Sequence, residues 1–219
     1  MKIGVTGPQN RIDELKLKIS SAATLVEIKD TDLWQLPNLG LTAFIDAGFD
    51  DTPEHLHHYL HLEFPVLISA AKTQLARQLA GQTCTTPIFG FNALPTFINR
   101  ALLEATCYNA DQKPVLEELA AQLGWQCTWV DDRVGMVTPR IIFMIINEAY
   151  YTVQEGTAGK ADIDTGMKLG TNYPYGPFEW AGLVGTKDVY ELLNAVYEDT
   201  RDERYKICPL LKTEYYKAL

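Results

Sequence analysis

The chain has 219 residues, of which 47% are hydrophobic and 21% charged, and this composition is typical of one or two globular domains with a substantial core. Its formal net charge of −9 argues against nucleic acid and anionic membranes as partners, because both attract clustered basic residues. The longest apolar run, at 141–146, is far shorter than the roughly 20 residues that cross a bilayer, and the N-terminus shows no signal-peptide pattern. The four cysteines have neither metal-binding nor redox spacing, so we expect reduced thiols in a cytoplasmic protein.

The first part of the chain alternates short apolar stretches with helical patterns. The apolar stretches predict strands at 2–5, 23–28, 41–46, 65–69, 87–91, 102–108 and 125–130. Helices are predicted between them at 11–20, 53–62, 72–80 and 113–123. This alternation is typical of a mostly parallel sheet with helices on both faces.

After residue 132 the pattern becomes helical. Thr138 and Pro139 form a favourable helix start, and the following stretch at 140–154 is apolar on almost every side. Such a helix is buried between other elements or between subunits. Further helices are predicted at 161–169 and 184–199, and no strand is. The sequence therefore predicts an α/β domain at 1–132 followed by an all-helical domain at 133–219.

The first strand ends in a glycine turn, which raises the possibility of dinucleotide binding. A dinucleotide fold needs G-x-G-x-x-G, whose glycines let the pyrophosphate approach the backbone ahead of a helix. Gly7 supplies the first glycine, but Gln9 and Ile12 stand at the other two positions. Glu27 lies at the spacing of a ribose-binding acid. NAD is therefore expected only if this altered site still functions, with Gly7 and Glu27 as its candidate ligands.

All four histidines lie between residues 55 and 61. On an α-helix His57 and His61 would share a face, as would His55 and His58. Such a pair can hold zinc if Glu54 or Glu63 completes the ligand set, but we favour a solvated helix face without a metal. Any histidine-based acid–base mechanism must nevertheless use this segment, with His57 and His61 as candidates.

The second half contains several spaced motifs. In chain order they are GMVTPR at 135–140, Asn-Glu-Ala at 147–149, DTGMKLG at 164–170 and YPYGPFE at 173–179. Together with 182–188, they resemble the C-terminal domain of the 3-hydroxyacyl-CoA dehydrogenase family over about 135–212. More loosely, 88–95 (IFGFNALP) is similar to the family's L-H-F-F-N-P-x-P strand, in which Asn92 keeps its identity.

The resemblance implies a fold and an activity. The fold is a Rossmann-like parallel sheet followed by a helical dimerisation domain like the C-terminal domain of 6-phosphogluconate dehydrogenase. The reaction is reversible hydride transfer between NAD and the 3-hydroxyl group of an acyl-CoA. A histidine–glutamate pair takes the hydroxyl proton, and a serine and an asparagine hold the substrate oxygen.

Most of those functional positions are altered in this sequence. The family's histidine falls on Phe89, its serine on Lys72, and its asparagine on Pro139. The glutamate falls near Ala101, and only a local shift would bring in Glu104. Phenylalanine accepts no proton, so the dyad is lost together with the glycines.

These losses, with a shortened stretch at 7–92, predict a family member whose dehydrogenase activity is lost or strongly altered, and which binds an acyl-CoA or a partner protein. One alternative is an active NAD-dependent 3-hydroxyacyl-CoA (3-hydroxybutyryl-CoA) dehydrogenase with rearranged groups, such as His57 or His61 with Glu104. Another is a non-catalytic dimeric scaffold. NAD binding would distinguish the active enzyme from the altered family member and the scaffold. Acyl-CoA binding would distinguish the altered family member from the scaffold. A homodimer through the helical domain is expected in each case.

Overall fold

The computed structural model describes residues 1–19 and 23–219, so the last residue of the helix predicted at 11–20 lies outside the described residues. The chain divides into two units, Met1–Met136 and Val137–Leu219. The first is an α/β unit and the second contains helices. Within the described ranges no helix is long and apolar enough to span a membrane.

The α/β unit is built on a seven-stranded sheet. Its strands are β1 Lys2–Thr6, β2 Thr24–Glu27, β3 Ala43–Asp46, β4 Val66–Ser69, β5 Ile88–Phe91, β6 Leu102–Cys107 and β7 Gln126–Trp129. They lie in the order β2-β1-β3-β4-β5-β6-β7. Neighbouring strands are parallel except for the antiparallel pair β5 and β6. The predicted, mostly parallel sheet is confirmed.

The two faces of the sheet are covered differently. Helices α1 Gln9–Lys18 and α3 Lys113–Leu123 contribute buried leucines to the core cluster on one face. On the other face the cover consists of two 3-10 helices, Asp30–Asn38 and Pro53–His58, and the short α2 Leu75–Leu79. Because both faces are covered, β3, β4 and β5 are buried along their whole length, as parallel strands usually are.

The segment predicted as an α-helix at 53–62 is instead the 3-10 helix Pro53–His58. Within this helix His55 and Leu56 are buried, and Tyr59 and Leu62, which follow Leu56 at intervals of three residues beyond its end, are buried too. The backbone follows this spacing, since the N–H of Tyr59 donates to the carbonyl of Leu56 at 2.9 Å. The predicted α-helix was therefore wrong both in type and in length, because the 3-10 helix ends at His58.

The helical unit contains α4 Thr138–Gln154, α5 Lys160–Thr171, α6 Pro177–Val184, α7 Thr186–Thr200 and α8 Pro209–Ala218. Helices α4, α5 and α7 were expected, whereas α6 and α8 were not. Helix α6 lies within the turn-rich stretch at 170–185, and its start depends on a carboxylate from α5, described below. Local pattern alone does not reveal such a contact.

Candidate functional site

The candidate site lies where the parallel strands end. In open parallel sheets, ligands bind outside the carboxyl ends of the strands, at the point where the strand order reverses. Here the order reverses at β1, because β2 lies on one side of it and β3 on the other. The relevant crevice is therefore the space between the loop at 7–8, after β1, and the loop at 47–51, after β3.

The two loops touch backbone to backbone. Gly7 has a φ of +130°, and a Cβ placed on it would lie 2.8 Å from the backbone nitrogen of Gly48. A Cβ on Gly48 would lie 3.2 Å from the Cα of Gly7. Both glycines are therefore needed for packing between the loops. In a dinucleotide site, by contrast, the glycine allows a pyrophosphate to approach.

Arg11 crosses the same crevice. It extends from the first turn of α1, is only 2% exposed, and donates from Nη1 to the carbonyl of Ala47 at 2.8 Å. Ile12, at the third position of the expected glycine motif, is buried in the core beneath α1. The crevice is thus lined by a guanidinium bonded to the protein's own backbone.

The predicted ribose-binding residue Glu27 ends β2. Its carboxylate forms an ion pair with Lys16 at 2.6 Å, and both side chains remain partly exposed. A different carboxylate contacts the end of β1, since the hydroxyl of Thr6 donates to Asp30 at 2.6 Å. Sequence reasoning did not identify Asp30, which lies just beyond the predicted strand.

Asp46 organises the end of β3. It is fully buried, and its Oδ1 accepts from the N–H of Gly48 at 2.8 Å. Its Oδ2 accepts from the Tyr59 hydroxyl at 2.7 Å and from Nδ1 of His55 at 3.1 Å. The hydrogen bond from His55 to Asp46 raises the pKa of that histidine, although burial acts in the opposite direction. Burial, followed by the charge of Asp46, raises the pKa of Tyr59 far above its ordinary value.

The two histidines singled out from the sequence lie elsewhere. His57 is exposed and donates from Nδ1 to the carbonyl of Glu54 at 2.5 Å. His61 is exposed, with Nδ1 3.5 Å from the hydroxyl of Thr85. Because the 3-10 helix ends at His58, the shared α-helical face expected for His57 and His61 does not form. Among the four histidines, all within the described ranges, His55 is the one hydrogen-bonded to a carboxylate.

A second carboxylate, Asp50, bonds to the end of β4. Its Oδ2 accepts from the Ser69 hydroxyl at 2.5 Å and from the N–H of Ala71 at 3.0 Å, while its Oδ1 accepts from the N–H of Lys72 at 2.8 Å. Burial raises the pKa of the Asp50 carboxyl group, against the opposing hydrogen bonds and the charges of Lys72 and Arg11. The ammonium group of Lys72 bonds separately to Asp51 at 3.0 Å.

The position of the family's histidine lies in the core. Phe89 is fully buried, with its ring centroid 6.2 Å from that of Trp129. In the antiparallel register Phe89 is opposite Cys107, and side chains alternate along each strand. Glu104 therefore projects from the opposite face of the sheet to Phe89, although it too is buried. Substituting histidine at position 89 would not by itself rebuild a pair with Glu104.

Asn92 follows β5 and supports the local backbone. It is buried, its Oδ1 accepts from the N–H of Leu94 at 3.2 Å, and its own N–H donates to the carbonyl of Glu104 at 3.3 Å. These contacts shape the end of the strand.

In the helical unit the motif residues build a helix cap. The carboxylate of Asp164 accepts from the N–H groups of Phe178 and Glu179, at 2.8 and 3.1 Å, at the start of α6. The side chain of Glu179 accepts in turn from Lys168 at 2.9 Å. A Cβ on Gly176 would lie 2.4 Å from Asp164, so only glycine fits beside this cap. The motif residues are therefore explained by packing and capping.

Helix α4 carries an exposed apolar patch, which consists of Ile141, Met144 and Ile145. These side chains line a groove of about 450 Å³, and Ile141 is 55% exposed. Arg140 and Glu148 line the groove as well. The helix predicted to be apolar on almost every side thus keeps one apolar face open.

Residues 135–217 match the family model described as the 3-hydroxyacyl-CoA dehydrogenase C-terminal domain. A 3-hydroxyadipyl-CoA dehydrogenase of Escherichia coli is 42% identical over 91 residues, covering 42% of this chain and 19% of that protein. A probable 3-hydroxybutyryl-CoA dehydrogenase of Bacillus subtilis is 30% identical over 154 residues, covering 70% of this chain and 51% of that protein. The chain therefore spans about half or less of these curated relatives.

The fold also resembles a solved structure. The (S)-3-hydroxybutyryl-CoA dehydrogenase of Ralstonia eutropha aligns over 99% of this chain and 94% of its own, with a TM-score of 0.75 and 19% identity. At that identity the likeness establishes the fold.

Proposed function

Because the chain belongs to the 3-hydroxyacyl-CoA dehydrogenase family, we propose that it acts in acyl-CoA metabolism without performing the NAD-dependent hydride transfer of its relatives. One observation carries the proposal, namely the close backbone contact between Gly7 and Gly48. Beside it, the Arg11 side chain donates a hydrogen bond to the carbonyl of Ala47. The contact between the two glycines occupies the crevice where an open α/β sheet of this type would receive the pyrophosphate.

The groups for proton transfer are missing as well. Phe89 stands at the histidine position and Pro139 at the asparagine position, and both are buried. A general base typically contributes about 10²–10⁴-fold to the rate, so its loss alone would reduce turnover strongly. Loss of cofactor binding would reduce turnover further.

The test is a titration of NADH together with an assay of NADH oxidation with acetoacetyl-CoA. A full-length 3-hydroxybutyryl-CoA dehydrogenase, assayed in the same buffer, serves as the positive control. We expect neither saturable NADH binding nor turnover by this chain. Turnover would contradict the proposal and favour the rearranged enzyme, and His55→Gln would then be the first variant, because His55 is oriented by Asp46.

We also propose that the chain forms a homodimer through the patch on α4. Arg140 and Glu148 lie at equal distances in sequence on either side of Met144. Two copies of α4 that cross antiparallel at Met144 would bring each Arg140 opposite Glu148 of the partner subunit. Such self-complementarity is what a two-fold interface requires.

The dimer is tested by measuring mass in solution by light scattering. We expect twice the 24.6 kDa of one chain for the wild type and for Leu17→Arg, and a single chain mass for Ile141→Arg. Leu17 is the matched control, since it is an exposed apolar residue on α1 of the other unit. A monomeric wild type, or an Ile141→Arg variant that stays dimeric, would rule out this interface.

Binding of an acyl-CoA separates an accessory protein from a pure scaffold. We favour acyl-CoA binding, on the strength of the family alone, and calorimetric titration with acetoacetyl-CoA tests it. All four cysteines are free, which is consistent with the reducing cytoplasm that we propose as the location. Absence of heat with acetoacetyl-CoA in a folded dimer would favour the scaffold.

A further inference from the structure

Three hydrogen-bond donors converge at the end of β4. They are the hydroxyl of Ser69 and the consecutive backbone N–H groups of Ala71 and Lys72, and we name this set the carboxylate nest. Ser69 is fully buried, so its hydroxyl is fixed by the surrounding structure. Successive N–H groups that point to one spot form a typical anion-binding concavity.

The nest lies at the same edge of the sheet as the crevice described above, although not at the strand where the order reverses. It follows β4, which lies between β3 and β5 in the sheet, at the carboxyl ends of the parallel strands. The positive charges of Lys72 and Arg11 act on the same spot, because both favour the ionised form of the carboxyl group that now occupies it. These charges act against burial, which on balance raises the pKa of the Asp50 carboxyl group, so the directed donors carry the site.

In this structure the carboxylate nest is filled by a side chain of the same protein, Asp50. Asp50 places one carboxylate oxygen on Ser69 and Ala71 and the other on Lys72, so both oxygens are bonded at 2.5–3.0 Å. Asp50 belongs to the loop after β3, and part of the residue is exposed although its carboxyl group is buried. Its carboxylate therefore reaches the nest from a partly exposed loop residue.

We propose that the nest is a binding site for a small carboxylate, which this chain closes with its own Asp50, and that an external carboxylate binds there once the Asp50 side chain is removed. The planar carboxylate, with one oxygen for each side of the nest, fits the three donors better than a point-like anion does. This inference is independent of the proposed function, because its test uses neither NADH nor an acyl-CoA.

The experiment measures the thermal midpoint Tm of Asp50→Ala as sodium formate replaces sodium chloride at constant ionic strength. We expect a saturable rise of about 3–5 °C at a formate concentration of about ten dissociation constants. The wild type should not respond, because Asp50 fills the nest. Asp51→Ala is the matched control, since Asp51 is the neighbouring acid and bonds to the side chain of Lys72 outside the nest.

Two further variants make the result decisive. Asp50→Ala combined with Ser69→Ala should lose most of the formate response, because one of the three donors is gone. If Asp50→Ala is unfolded in chloride, the folded fraction measured by circular dichroism should rise with formate. Equal Tm values for Asp50→Ala in formate and chloride, no recovery of an unfolded variant, or an equal response of the wild type would each overturn the proposal.

Discussion

The two units of the molecule retain different features of the family. In the helical unit the motif residues Asp164 and Gly176 form, with Glu179, a cap that tolerates few substitutions. In the α/β unit the strand order is that of the expected sheet, but side chains near the carboxyl ends of the strands bond to the chain's own backbone, as Arg11 does, or to one another, as Ser69 and Asp50 do. The difference shows that a motif shared with a family can be explained by the demands of folding alone.

The largest effect that tests this comparison is expected at Gly7. Gly7→Ala adds a Cβ 2.8 Å from the backbone of Gly48, at a φ of +130° that favours glycine. Strain and overpacking together should lower the free energy of unfolding by about 4 kcal/mol. Gly81→Ala is the control, since its φ is also positive but nothing lies near its Cβ, and it should lose only about 1 kcal/mol. Equal losses in urea unfolding would show that the contact with Gly48 is unimportant.

The next effect concerns Phe89, at the position that the resemblance assigns to the family's histidine. Phe89→His replaces a fully buried ring with a polar one and should cost about 3 kcal/mol of unfolding free energy. It should not restore oxidation of NADH with acetoacetyl-CoA, because Glu104 projects from the other face of the sheet. Phe89→Leu keeps the site apolar and should cost less. Measurable turnover in Phe89→His would contradict the geometry described for β5 and β6.

Sequence reasoning identified the sheet, because short apolar runs depend on local information and revealed the strands. The interpretation of Gln9 and Phe89 as altered functional positions rests on the resemblance and stays a prediction. Sequence reasoning did not reveal the contacts that fill the crevice. Arg11 bonds to Ala47 and Asp50 bonds to Ser69 only because the strand order brings together loops that are distant in the sequence. For the same reason, the cap that Asp164 forms on α6 was not predicted.

In the helical unit, the same substitution at Gly176 and at Gly182 should change the free energy of unfolding in opposite directions. Gly176→Ala would place a Cβ 2.4 Å from Asp164 and displace the cap of α6, for a loss of about 2 kcal/mol. Gly182 lies inside α6 with nothing near its Cβ, so Gly182→Ala should stabilise by about 0.5–1 kcal/mol. Thermal unfolding followed by circular dichroism distinguishes them. A loss in both variants would mean that α6 resists any side chain, independent of the cap.

The smallest effect is the pH dependence of the pair between His55 and Asp46. The pKa of His55 is raised in the folded state, so the folded protein holds this proton more tightly than the unfolded chain does. The stabilisation is therefore complete below the ordinary histidine pKa of about 6.5, and it disappears as the pH rises through the raised value. The negative charges that favour the proton are Asp46 on β3, Asp30 on the neighbouring 3-10 helix and Glu54 beside the histidine, while burial opposes them.

His55→Gln removes this proton site. The difference in unfolding free energy between wild type and His55→Gln should be larger at about pH 5.5 than at about pH 9, by about 0.5–1 kcal/mol after solvent screening. His57→Gln is the matched control, because His57 is exposed and bonds to the carbonyl of Glu54. Urea titrations at the two pH values measure both variants. A difference for His55→Gln that is independent of pH would mean that the histidine acts by packing alone. A pH-dependent difference would show that the carboxylate ending β3, at the edge where related sheets bind ligands, stabilises the protein's own fold in this chain.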